Sequence, residues 1–335
     1  MANSFSESSK DPEDSRVSFI TPFFNTEQYL EKCIESVLRQ TYQNWDYVLV
    51  NNCSTDGSVK IAAKYANLFP GRIRVEHNSE FLSQVQNYNH ALRFISNESR
   101  YCKIVQADDW LFPDCVKSMV AVAEAHPAVG VVAAYELEGD EVRLDGLPYP
   151  STMVPGREIC RIYFLEGKYL FGTPTSLLLR SDLVRSRDPF YDERLAPFED
   201  GHACFDLLKA CDFGFVHQVL TFSRRDNESI LSRVRPFNLE LLIRLSMLVV
   251  HGRDFLERKE FDRCLKEAER NYFHYLAKFV CARHRQGPEF WKYHRNGLAA
   301  INYSLDWRLL GKCIPGALLE KTFDTILSAW ETVFP

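Results

Sequence analysis

The sequence contains two pairs of adjacent carboxylates whose positions could support chemistry. Asp108 and Asp109 follow the apolar run YCKIVQ, and Glu199 and Asp200 open the segment EDGHACFDLLKACD. Carboxylate oxygens are preferred ligands of hard divalent cations, and a positioned carboxylate can also take a proton. Two like charges side by side repel each other, so such a pair needs either a compensating partner or free solvation.

Each pair also has an ordinary structural explanation. Strand ends are commonly polar, so Asp108 and Asp109 could form a solvated turn, followed by a helix cap at Asp114. Acids in the first turn of a helix interact favourably with the helix dipole, so Glu199 and Asp200 could serve only as an N-terminal cap. The same dipole would favour the ionised carboxylate and make it a weaker base.

The elements around these acids alternate regularly in the first 136 residues. Apolar runs predict strands at 17–21, 46–51, 72–77, 101–106 and 129–136. Apolar residues at helical spacing predict helices at 27–40, 57–69, 83–96 and 113–125. This alternation predicts an α/β fold with a mixed, mainly parallel sheet and helices on both faces.

Polar clusters follow three of the predicted strands. PFFN (22–25), NNCSTDGS (51–58) and ADDW (107–110) each begin as a strand ends. In parallel sheets, ligands bind where the carboxyl ends of the strands open into loops. The alternation therefore predicts a ligand site at one edge of the sheet.

The pattern beyond residue 136 is less regular. It predicts a long loop at 137–156, a helix at 157–168, a strand at 175–181, a helix at 199–212 and two short strands within 213–225. Helical patterns dominate from residue 236 onward, including 288–299 and 316–333.

These elements predict a division of the chain into three parts. Residues 1–15 form a polar, disordered lead-in, residues 16–233 an α/β domain, and residues 234–335 a helical C-terminal extension. Apolar stripes in the extension, such as Leu239, Leu242, Ile243, Met247 and Val250, predict packing on the core or a homodimer contact. Peripheral membrane contact is the alternative, although acids are interleaved with its basic residues.

Composition limits the functional class. The 335 residues are 46% hydrophobic and 13% aromatic with a net charge of −5, which predicts a soluble globular protein that does not bind nucleic acid. No segment approaches the roughly 20 apolar residues of a spanning helix. The ten cysteines include no CxxC pair, and the N-terminus lacks an apolar signal region, which predicts reduced thiols and a cytoplasmic location.

Four ordered blocks together resemble a known family. VSFITPFFNTEQYLEKCIESVLRQTYQNWDYVLVNNCSTDGS, QADDW, FGTPTSLLLRSDL and PFEDGHACFDLLKACDFGFV are similar to family 2 glycosyltransferases of the GT-A fold, over about residues 17–225. The resemblance implies a Rossmann-like GT-A catalytic domain, a nucleotide-sugar donor, a divalent metal ion (Mn²⁺ or Mg²⁺) and transfer with inversion at the anomeric carbon.

The resemblance also implies roles for the acid pairs. Ala107-Asp108-Asp109-Trp110 matches the family's Asp-x-Asp-like motif, which places Asp108 on the ribose and Asp109 on the metal ion. Asp200 matches the catalytic base, with Glu199 beside it to orient the acceptor.

The same match assigns the loops after the first two strands to the nucleotide. Pro22, Phe24 and Asn25 would lie against the base and ribose, and Phe24 could stack on the base. Many family members carry two aspartates after the second strand, and here Asn51 and Asn52 replace them. Asn52 could still pair with a base edge, but the change leaves UDP-, dTDP- and GDP-sugars all open as donors.

The residues and the resemblance together predict a metal-dependent inverting glycosyltransferase. Its acceptor would be a glycan or a lipid-linked intermediate of cell-surface polysaccharide synthesis, at the inner face of the membrane. The alternative is a catalytically silent scaffold that binds nucleotide-sugars. An oxidoreductase is excluded because no GxGxxG follows the first strand.

Overall fold

The computed structural model describes residues 15–224, 239–281 and 287–319. The chain separates into two compact units, the first ending at Asn227 and the second beginning at Glu228. Residues 1–14 of the predicted lead-in lie outside the described residues, as do the predicted boundary at 233/234 and most of the predicted helix at 316–333.

The first unit is built on one ten-stranded sheet in its described part. Its strands are β1 (Val17–Phe23), β2 (Trp45–Asn51), β3 (Ile73–His77), β4 (Tyr101–Ile104), β5 (Trp110–Leu111), β6 (Val129–Glu138), β7 (Glu141–Arg143), β8 (Met153–Val154), β9 (Leu178–Arg180) and β10 (Asp212–Ser223). The spatial order is β3-β2-β1-β4-β9-β6-β10-β5, with β7 beside β6 and β8 beside β10. Strands β1 to β4 are mutually parallel, as are β6 and β10, while β9 runs antiparallel between the two groups.

Helices of the first unit connect these strands. They are α1 (Leu30–Leu38), α2 (Ser58–Leu68), α3 (Gln84–Leu92), α4 (Cys115–Ala125), α5 (Gly156–Glu166), α6 (Ser181–Arg185) and α7 (Glu199–Leu207). Every residue of β1 and β2 is buried, as expected for central strands covered on both faces. The predicted mixed, mainly parallel α/β sheet is confirmed.

Two sequence predictions in this unit are wrong. The predicted loop at 137–156 contains β7 and β8, which add short antiparallel pairs to β6 and β10. The predicted pair of strands within 213–225 is one continuous strand, β10, because register shifts around Val216 and Val219 accommodate the polar interruption without ending the pairing with β6.

The second unit is helical in its described part. It contains α8 (Leu239–Phe255), α9 (Arg258–Cys281), α10 (Pro288–Ala300) and a further helical stretch at 307–319. Leu242, Leu245, Met247 and Leu248 of α8 are buried, whereas Val250 from the predicted apolar stripe is 39% exposed. Within the described ranges, no helix has the length and apolar content required to span a bilayer.

Candidate active site

The first acid pair lies between β4 and β5, at the carboxyl edge of the parallel strands. Asp109 is only 4% exposed. Its Oδ2 accepts hydrogen bonds from the hydroxyls of Thr175 (2.6 Å) and Ser223 (3.3 Å). Its Oδ1 accepts one from the backbone N–H of Arg224 (3.1 Å). Two distant segments, the one containing Thr175 and the one containing Ser223 and Arg224, therefore fix this carboxylate, while Asp108 beside it is half-buried.

The electrostatics of this pair disfavour two uncompensated negative charges. Burial raises the pKa of Asp109, the negative charge of Asp108 raises it further, and the bonds from Thr175 and Arg224 only partly oppose the shift. The described residues contain no cluster of three or more His, Cys, Asp or Glu side chains that would form a protein-only metal site. Mg²⁺ is commonly held by one or two carboxylates together with substrate phosphates, and Asp109 fits that arrangement.

A second buried acid near Asp109, Glu136, was missed by the sequence analysis. It lies in β6, is 4% exposed, and accepts hydrogen bonds from the hydroxyls of Thr173 (3.2 Å) and Ser223. Burial raises its pKa. Because Ser223 contacts both Glu136 and Asp109, the two acids share one polar cluster. An acid inside the apolar run VGVVAAYE was the signal that could have identified it.

The second acid pair forms the first turn of α7. The backbone N–H of Gly201 donates to Asp200 Oδ1 at 2.7 Å, and Phe198 at the N-cap makes no side-chain cap bond. Burial and the neighbouring charge of Glu199 raise the pKa of Asp200 to about 7. The expectation that the helix dipole would dominate is therefore wrong, because desolvation and like charge outweigh it. Glu199 Oε2 is buried without a hydrogen-bond partner.

The two acid pairs act electrostatically on the same buried groups. Tyr88 of α3 is buried, and its pKa is raised by burial together with the charges of Asp108, Asp109 and Glu199. The charge of Glu136 raises the pKa of both Asp109 and Asp200. Such mutual effects require proximity, so the fold places the two acid pairs in one electrostatic environment.

The loop after β1 presents an exposed aromatic side chain. Phe24 is 43% exposed and contacts Phe81 edge-to-face, with ring centroids 4.8 Å apart. Pro22 is buried within β1. Asn25 adopts a positive φ of 51°, and its Oδ1 accepts a hydrogen bond from the Thr55 backbone N–H at 2.8 Å. Asn25 therefore joins the first loop to the second.

The amides of the asparagine pair are engaged within the protein. Asn52 is 3% exposed, donates to the Leu82 carbonyl (2.9 Å), and accepts from the Leu82 N–H (2.9 Å) and the Asn78 amide (2.8 Å). Asn51 accepts from the Ser54 N–H at 2.9 Å. Both acceptor positions of the Asn52 amide oxygen are occupied, so a base contact would have to use the second N–H of the amide or replace one of these bonds.

The side chains of two cations lie over aromatic rings near the first acid pair. The Arg224 guanidinium lies 4.3 Å from the centroid of the Tyr29 ring, and its Nε is buried without a hydrogen-bond partner. Lys32 Nζ lies 3.1 Å from the centroid of the Trp110 ring, which stacks on Phe222 at 3.4 Å.

Sequence comparisons identify the family. Residues 18–188 match the family model described as Glycosyl transferase family 2. The putative glycosyltransferase EpsE of Bacillus subtilis is 32% identical over 201 residues, which is 58% of this chain and 71% of that relative. The chain belongs to glycosyltransferase family 2.

Solved structures show that this glycosyltransferase has the fold implied by its sequence. The Staphylococcus aureus TarS 1–349 structure in complex with UDP-GlcNAc aligns with a TM-score of 0.62 at 18% identity, over 85% of this chain and 81% of that chain. The mannosyltransferase PcManGT from Pyrobaculum calidifontis, in complex with GDP-Man and Mn²⁺, aligns with a TM-score of 0.52 at 18% identity, over 97% and 89% of the two chains. The predicted family, GT-A fold and enzyme class are confirmed.

Proposed function

We propose that this glycosyltransferase moves one sugar from a nucleotide-sugar to an acceptor hydroxyl by a single, inverting displacement that depends on a divalent metal ion. The observation that carries the proposal is that the fold brings two acid pairs, Asp108–Asp109 and Glu199–Asp200, into one electrostatic environment around Tyr88 and Glu136. Asp108–Asp109 would act on the leaving diphosphate through the metal ion, and Glu199–Asp200 would act on the attacking hydroxyl.

Asp109 would hold the metal ion, and Asp108 would hold the ribose. Mn²⁺ or Mg²⁺ at this position would neutralise the diphosphate and stabilise it as it leaves. Thr175, Ser223 and the Arg224 N–H keep the Asp109 carboxylate in one orientation. These three hydrogen bonds preorganise the site, because the Asp109 carboxylate already has a fixed orientation before the substrate binds.

Asp200 would act as the general base. A pKa raised to about 7 matches the requirement for a base that is substantially ionised near neutral pH yet still binds a proton well. Glu199, with an unpaired buried oxygen, would accept a hydrogen bond from a second acceptor hydroxyl and so orient the nucleophile. The proton removed from the attacking hydroxyl would reside on Asp200.

The loops after β1 and β2 would form the nucleotide site. The exposed Phe24 ring would stack on the base, Pro22 and Asn25 would shape the loop beneath it, and Asn52 would lie at the base edge. Arg224 would bind the diphosphate, because its Nε lacks a protein partner and its backbone already contacts Asp109.

The names of two relatives support a proposed biological setting. EpsE is named a putative glycosyltransferase, and a relative with 23% identity over 188 residues is named poly(ribitol-phosphate) beta-N-acetylglucosaminyltransferase TarS. We propose a role in cell-surface polysaccharide synthesis, with a glycan or lipid-linked acceptor used at the cytoplasmic face of the membrane. The C-terminal helices would mediate either this membrane contact or a homodimer. A UDP-sugar is the first donor to test, since a TarS structure contains UDP-GlcNAc.

Calorimetry with UDP, dTDP and GDP, each with and without Mn²⁺, tests this function. We expect one nucleotide to bind in a metal-dependent manner, and Asp109→Ala to remove that dependence. Binding that needs no metal and survives Asp109→Ala would instead support the silent-scaffold alternative. Absence of binding by all three nucleotides would contradict both functions.

Replacing Phe24 with alanine tests the base-stacking role. Stacking of a base on an aromatic side chain contributes about 1–3 kcal/mol, so nucleotide binding should weaken roughly 10-fold. The measurement is the dissociation constant of the nucleotide identified in the panel. Leu68→Ala is the matched control, because Leu68 is also a large exposed side chain and lies on α2. Equal affinities for the Phe24→Ala variant and the wild type would show that the base binds elsewhere.

A further inference from the structure

A lysine is buried in the strand that leads to the first acid pair. Lys103 of β4 is 0% exposed, and its Nζ donates hydrogen bonds to the backbone carbonyls of Thr175 (2.6 Å) and Leu177 (3.0 Å). No carboxylate forms an ion pair with it in the part of the chain that the structure describes. A third contact, to the weak acceptor Met119 Sδ at 3.8 Å, completes its partners among the described residues. Burying an ammonium has a large desolvation cost, and these neutral partners offset only part of it.

The two carbonyls belong to the turn that carries Thr175, the residue that donates a hydrogen bond to Asp109. Pro174–Ser176 forms a short 3₁₀ turn, and Lys103 bonds the carbonyls at the middle of this turn and just beyond it. The side chain of Thr175 accepts the Gln106 N–H at 3.0 Å and donates to Asp109 Oδ2 at 2.6 Å. The lysine therefore secures the backbone from which Thr175 reaches Asp109.

The electrostatic surroundings do not explain the burial of the lysine. Burial lowers the pKa of Lys103, and the charge of Glu136 only partly opposes that shift. The hydrogen bonds to the 174–177 backbone are therefore the interactions that hold this side chain in place.

We propose that Lys103 is a positioning residue for the metal site: through the 174–177 backbone it fixes Thr175, and through Thr175 it presents the Asp109 carboxylate in one orientation. This inference rests on the proposed function, because it assigns Asp109 to the metal ion. The competing explanation is a purely structural lysine, for which an apolar replacement of similar length would leave metal affinity unchanged.

Mn²⁺ titration in the presence of the nucleotide found in the panel, followed by the paramagnetic signal of free Mn²⁺, tests the inference without measuring turnover. Lys103→Met should weaken Mn²⁺ affinity about 10-fold or more, the usual effect of removing a group that orients a metal ligand. Thr175→Val, which keeps both carbonyls bonded to Lys103, should cause a similar loss. The double variant should lose little beyond either single change, because both act through the same hydrogen bond. Lys60→Met, which removes an exposed lysine from α2, is the control.

The outcomes separate this inference from the proposed function. A wild-type protein that binds no Mn²⁺ with any nucleotide would overturn both. A wild type that binds Mn²⁺, with equal affinity in folded Lys103→Met, would overturn only the positioning role. If Lys103→Met loses its thermal transition and so fails to fold, Thr175→Val tests the step through which Lys103 acts. Unchanged Mn²⁺ affinity in Thr175→Val overturns the role, because Lys103 reaches Asp109 only through Thr175, and a loss of about 10-fold supports the Thr175–Asp109 link on which the role depends.

Discussion

Asp200→Asn should lower the rate of sugar transfer by roughly 10²–10⁴-fold while leaving nucleotide and Mn²⁺ binding unchanged. The amide keeps the size of the carboxylate but cannot accept the proton of the attacking hydroxyl. Single-turnover transfer from the identified donor, together with calorimetric donor binding, measures the two effects separately. Asp206→Asn, six residues further along α7, is the matched control and should transfer sugar normally.

The pH profile provides a sharper test of the same residue. Because the pKa of Asp200 is raised to about 7, a growing fraction is protonated below that pH, and the transfer rate should fall as the pH decreases through this range. An ordinary aspartate would cause that fall only near about pH 4. Since the charge of Glu199 contributes to the shift, Glu199→Gln should move the acidic limb of the profile to lower pH. If the acidic limb of the Glu199→Gln profile does not move, the pH dependence does not arise from the Glu199–Asp200 pair.

Asp109→Asn should have opposite effects on activity and on stability. Loss of the charged oxygen weakens metal binding, and a bound divalent cation contributes several kcal/mol to transition-state stabilisation, so transfer should fall by a factor on the order of 10³. The Mn²⁺ dependence of nucleotide binding should disappear as well. Calorimetry with and without Mn²⁺ and a transfer assay measure these two losses.

In the metal-free protein the same change should be stabilising. The pKa of Asp109 is raised by burial and by Asp108, so the folded protein binds this proton more tightly than the unfolded chain does. The metal-free wild type should therefore lose stability as the pH rises from about 4 toward the raised pKa. Asp109→Asn should remove part of this loss, measured as the thermal midpoint against pH in the presence of a chelator. A midpoint lower than that of the wild type at neutral pH would contradict the assigned electrostatics.

The regular part of this chain could be predicted from its sequence because the signals there are local. Central strands such as β1 and β2 are continuous apolar runs, and the helices between them repeat apolar residues at helical spacing. A parallel sheet brings the carboxyl ends of its strands together, so the strand pattern alone places the loop containing Asp108 and Asp109 at the ligand edge. The family resemblance was carried by the same local blocks and is confirmed.

Features that depend on distant contacts were decided only by the tertiary structure. The sequence contained Glu136 and Lys103, but only the packing of β6, β4 and the 174–176 turn surrounds them and connects them to the Asp109 cluster. The pKa of Asp200 was predicted in the wrong direction because a helix start is visible in sequence, whereas desolvation depends on which side chains cover the site. Residue types and their order along the chain determined which groups could react. Burial, set by segments far apart in sequence, determined the direction in which their pKa values shift.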